Sequence, residues 1–179
     1  MAELLVIGFQ GNIQKGSDVL DELRVLDDAW LEELADAIAI HRNLDQTVAM
    51  DQSYQPTGRR AAEWGTILGL LIGTSLRIPF MEDACPLVAQ GVQVAATLTQ
   101  QPVSGQINSL FWAERLKVDT KFLDAAGELA GAGGSAVFAI LDRDEVALAS
   151  ERFQGFGGTV LHLHLDSPQI QGMQMLLRG

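Results

Sequence analysis

The sequence predicts an α+β fold: a ferredoxin-like sandwich whose elements run βαββ, a helical hairpin insertion, then αβαβα, with both sheet faces covered. Three observations predict it. Two segments, 3–9 "ELLVIGF" and 135–142 "SAVFAILD", are apolar at both parities of a strand, the pattern of strands buried on two faces. Amphipathic helical stretches alternate with the predicted strands at the spacing of βαβ units, which cross over with a fixed hand. Between the two halves lies a long stretch of low charge that scans as two helices.

In chain order, Leu4 and Val6 point to one face of the first strand, and Leu5, Ile7 and Phe9 to the other. Gly8, Gly11 and Asn12 then supply a turn. From Ser17 to Ala35, Val19, Leu20, Leu23, Leu26, Trp30, Leu31 and Leu34 recur at steps of three and four, which predicts an amphipathic helix. Ser17 and Asp18 start it, and its early acids suit the helix dipole. Segments 36–43 and 46–54 read as a hairpin turning at Leu44 and Asp45. Asp119 is the expected N-cap of a helix over about 120–130, closed by glycines. A helix follows from Asp142, with Glu145 completing a capping-box-like start. The strand "TVLHLHLD" (159–166) and a tail helix over 168–177 end the chain. All this is one domain, 1–179, made of a first sheet unit (1–57), the hairpin insertion (58–113) and a second sheet unit (114–179).

The two-faced strands demand cover. An exposed apolar face of about 400 Å² corresponds to ~10 kcal/mol of burial forgone, at ~25 cal/mol per Å². The expected cover is the insertion or a second copy of the chain. The insertion opens with "RRAAEWGTILGLLIGTSL", where Gly65, Gly69 and Gly73 form a stripe that lets another backbone approach closely. A second helix is expected over "PLVAQGVQVAATLTQQ", after the bend "RIPFMEDACP". Phe80, Met81, Phe111 and Trp112 are candidates to line a small-ligand pocket beneath the hairpin. Trp64 to Leu76 is uncharged for thirteen residues, short of the ~20 a membrane span wants. The expected location is therefore cytoplasmic, with membrane association as the alternative.

Composition excludes several functions. The chain has 12 basic and 23 acidic residues, a net charge of −11, and such a surface repels nucleic acid. One cysteine, Cys85, rules out an internal disulfide and a multi-cysteine metal site. It lies near Glu82 and Asp83, which disfavour a thiolate. The glycine runs 131–135 and 155–158 precede strands, lack the lysine of a phosphate loop, and read as turns. His162 and His164 share one face of the last strand and, with His41, are the only metal-ligand candidates among imidazoles. In a ferredoxin-like sheet the strands carrying them are three spacings, or ~14 Å, apart, so His41 could join only across a dimer. No catalytic or cofactor-binding residue is expected, and no cofactor.

Five stretches in order, "MAELLVIGF", "LEELADAIAIHR", "EWGTILGLLIG", "GGSAVFAILD" and "FGGTVLHLHL", resemble a bacterial family of uncharacterised function, domain of unknown function 1269. The resemblance spans nearly the whole chain. It implies a glycine-rich apolar middle between two βαβ-type halves, and in many members membrane association. It brings no catalytic residue. In this sequence the middle is broken by "RIPFMEDACP" and rich in glutamine. The functional expectation is a non-catalytic structural or interaction protein that self-associates through its sheet face and glycine-striped hairpin. The alternative is a small-molecule binding or sensing domain with its pocket between hairpin and sheet.

Overall fold

A computed structural model describes residues 2–26, 34–45, 48–51, 54, 68, 71–73, 75–76, 95–96, 117–141 and 146–178. The fold is α+β. Strands β1 (Ala2–Phe9), β2 (Leu34–Arg42), β3 (Val48–Asp51), β4 (Ala95–Ala96), β5 (Gly134–Leu141) and β6 (Thr159–Leu165) form one sheet. Their order is β4-β3-β2-β5-β1-β6, and every adjacent pair is antiparallel. The helices are α1 (Lys15–Val25), α2 (Thr120–Leu129), α3 (Val146–Gln154) and α4 (Ser167–Arg178).

The two segments apolar at both parities lie side by side at the centre, and all eight residues of β1 and all eight of β5 are buried. Their side chains separate into two cores by parity, as the pleat requires. Leu4 and Val6 join Ile38, Ile40, Phe138 and Ile140 in one core. Leu5, Ile7 and Phe9 join Ala37, Ala39, Val137 and Ala139 in the other.

Each core has its own cover. α1 supplies Val19, Leu20 and Leu23 to the second core, and α3 supplies Phe153. The first core is closed by Leu123, Ala126 and Leu129 of α2 together with Leu68, Leu71, Ile72 and Leu76 of the insertion. Helices thus lie on both faces of the antiparallel sheet, where the simplest sequence reading has them on one. The cover for the second face comes from within the chain, so burying the apolar faces requires no second copy.

A tight contact joins the two covering elements of the first core. A Cβ on Gly127 of α2 would stand 2.3 Å from the carbonyl oxygen of Ser75. Backbone cannot give way as a flexible side chain can. Gly127→Ala is therefore expected to destabilise by about 1–3 kcal/mol through overpacking, outweighing the ~1 kcal/mol that alanine gains over glycine in a helix. A denaturant titration of the variant checks this.

Several element boundaries differ from expectation. α1 begins at Lys15, ahead of Ser17, because Asn12 Oδ1 accepts the Lys15 N–H at 3.1 Å and opens the helix earlier. It closes by Leu26, with β2 resuming at Leu34. Residues 95–96, expected within the second hairpin helix, form β4 and pair with Val48 and Ala49. The β-branched residues around them, Val92, Val94, Thr97 and Thr99, favour extended backbone. Asp119 caps α2 as expected, accepting the Lys121 N–H at 2.9 Å.

Candidate functional site

Three polar clusters stand out, and each is set by strand parity. The first lies on the outer strand β6. The register places His164 opposite Glu3 and His162 opposite Leu5, so both imidazoles share the face of Glu3. The Glu3 side chain is only 7% exposed, while His162 and His164 are 46% and 47% exposed. Glu3 bonds to Nδ1 of His164 through Oε1. Its other oxygen is 2.6 Å from Nε2 of His162, yet this buried atom lacks an aligned hydrogen bond. The contact to His162 is a close approach rather than a directed hydrogen bond. A carboxylate inside a two-faced strand needs such partners, because burial of an unpaired charge is costly.

The second cluster joins α1 to β2 and β3. His41 Nδ1 bonds to the carbonyl of Ile13, and since a carbonyl only accepts, Nδ1 carries the proton. His41 Nε2 is 2.9 Å from Ser17 Oγ, which also donates to Asp51 Oδ2. A serine hydroxyl has one proton. The serine stands between the acid and the imidazole, unlike a catalytic triad, in which the imidazole stands between serine and acid. Beside it, Ser135 Oγ accepts from Gly16 N at 2.9 Å and donates to Asn12 O at 2.7 Å. These bonds fix the first turn of α1 against the ends of β1, β2 and β5.

The third cluster is Asp36 and Tyr54. Asp36 sits where the register of β2 shifts against β5. It is 8% exposed, and its Oδ1 accepts the Ala37 N–H at 2.8 Å. Burial raises its pKa to about 7, against a lowering by that hydrogen bond. Tyr54 packs against the second core, and its hydroxyl is pushed up by burial and by the charge of Asp36.

The sequence-level candidates fare differently. His162 and His164 come together and are engaged with Glu3. His41 lies on β2, separated from β6 by β5 and β1, and is engaged with Ser17 and Ile13. Among the described residues no group of three or more His, Cys, Asp or Glu could hold a metal ion. Gly73 is helical and buried. Gly65 and Gly69 lie outside the described residues, as do Cys85 and the pocket candidates Phe80, Met81, Phe111 and Trp112. Among the described residues, no helix is long and apolar enough to cross a membrane.

Glu3 was missed as a site residue, although its parity on a strand buried on both faces signals it. In the sequence Ser17 reads as a helix start and Asp51 as part of a hairpin strand. Nothing in their spacing joins them; the pairing of β2 with β3 does.

No protein-family model matches the chain. Neither does any curated protein or solved structure.

Proposed function

We propose that this chain is a non-catalytic structural or interaction protein of ferredoxin-like plan that self-associates. The plan is supported by the order β2-β5-β1-β6. In it, β1 and β2 flank β5, and β5 and β6 flank β1, as two interleaved βαβ units require. The resemblance to the domain of unknown function 1269 family belongs to the same proposal and rests on its five motifs.

One observation carries the self-association: β6 is a seven-residue strand at the end of the sheet, paired among the described residues only with β1. Such an edge offers a row of backbone donors and acceptors to another chain. Proteins that keep edges apart place lysine, proline or a bulge there. β6 has no lysine or proline, and its register with β1 runs without a shift. Because helices lie on both faces, a second copy has the edge to engage rather than the sheet face.

Sedimentation velocity tests this: the expected species is at least twice the 19.3 kDa chain. A single 19.3 kDa species at every concentration contradicts the proposal. Two copies each carrying −11 repel one another, and salt screens that repulsion. The association is expected to tighten from 20 mM to 300 mM sodium chloride, the opposite of an assembly held by ion pairs.

A further inference from the structure

The last five residues of β6, Leu161-His162-Leu163-His164-Leu165, read the same in both directions. In an antiparallel pair of identical strands related by a two-fold axis, opposing residue numbers have a constant sum, so such a palindrome can be matched with itself. An axis at Leu163 sets Leu163 opposite its own copy. It sets His162 opposite His164 of the partner subunit, and Leu161 opposite Leu165 of the partner subunit. Opposed residues in a ladder share a face. The histidines then gather on the Glu3 face, and the leucines on the face of the first core, where Leu161, Leu163 and Leu165 already pack. Moving the axis to residue 162 or 164 breaks this matching, bringing Val160 or Asp166 against a histidine.

Charge favours the same edge. The chain carries 23 acidic residues, and none lies within β6. Around the axis the exposed polar groups are imidazoles, the two of each chain both turned onto that chain's single Glu3.

We propose that two copies pair edge to edge, β6 against β6 of the partner subunit, antiparallel about a two-fold axis at Leu163, making one continuous sheet across the dimer. This rests on the self-association proposed above and names its surface. An isologous contact of this kind closes on itself and stops at two, and it covers both open edges by strand addition.

Spin labelling tests it. In a Cys85→Ser background, nitroxides are placed at His162→Cys or at Thr159→Cys, both exposed. The geometry puts the two 162 positions about 8 Å apart and the two 159 positions about 27 Å apart, from strand spacings of ~4.8 Å and rises of ~3.4 Å per residue. Strong dipolar broadening is expected at 162 and little at 159, with sedimentation run on the same samples. A label at 162 that leaves the protein monomeric, while the label at 159 leaves it dimeric, equally supports the edge. A dimer without broadening at 162 overturns this pairing and leaves self-association standing. A monomer in the unlabelled chain overturns both.

Discussion

Asp36→Asn is expected to raise stability at pH 8 and to leave it nearly unchanged at pH 4. Asp36 is an acid whose folded pKa, about 7, lies above its ordinary 3.8, chiefly because burial penalises the charged form. The folded state therefore keeps a proton that the unfolded chain releases between those values. The stabilising contribution is full below pH 3.8 and is lost as pH rises through 7. Three pH units at 1.36 kcal/mol each set an upper figure of about 4 kcal/mol lost by pH 8. The amide removes the charge and keeps an oxygen for the Ala37 N–H, so the variant recovers most of that loss. Urea titrations of both proteins at pH 4, 6 and 8 check it. The wild-type midpoint falls across the series, and the variant's advantage grows to a few kcal/mol. An equal midpoint at pH 8 would show that Asp36 is solvated or paired in the folded state.

Tyr54 adds a second arm at alkaline pH. Burial and the Asp36 charge both hold its hydroxyl protonated beyond the usual tyrosine range. Asp36→Asn removes the second cause and leaves the first.

The parts of this fold legible in the sequence were those where one period governs a whole segment. β1 and β5 declared two buried faces because apolar residues fall on both parities of each, and the structure sets them together at the centre. α2 was equally plain, since Asp119 and the glycine turn mark its ends; Gly133 takes φ +75 there and gives its N–H to Arg42 O at 2.7 Å. Less legible was the side of the sheet that each helix covers. An amphipathic pattern names the buried stripe of α2, not the face it meets. That choice is made by long-range packing against Leu71, Ile72 and Leu76, which no local period encodes.

The site was readable in the same measure. Alternation placed His162 and His164 on one face. It could not supply Glu3, which is 161 residues away from His164 and meets it only through the β1–β6 register. Ser17, His41 and Asp51 show the same limit. Each belongs to a different element, and the bonds among them depend on where β2 and β3 come to rest beneath α1. The expectation of two helices across the insertion failed at residues 95–96 for a related reason. The valines and threonines around these alanines favour extended backbone, which a helical reading overlooks, and the segment pairs with β3.

The second large effect concerns the two cores. Leu4 and Leu5 are neighbours, each with no exposed surface, and point to opposite faces of β1. Truncating a buried leucine to alanine costs about 2–5 kcal/mol in burial and cavity terms, whereas an exposed position costs within about 0.5 kcal/mol. The pair therefore reports on each face separately, in one strand and with one chemistry. Leu4→Ala opens the core under α2 and the insertion; Leu5→Ala opens the core under α1 and α3.

Equilibrium unfolding of these two single variants, measured side by side in dilute monomeric protein, is the most direct test of a sheet covered on both faces by its own chain. Losses of at least 2 kcal/mol in each are the predicted result. A large loss in one with a change under about 0.5 kcal/mol in the other would mean that one face of β1 lies open in the isolated chain, contradicting the architecture.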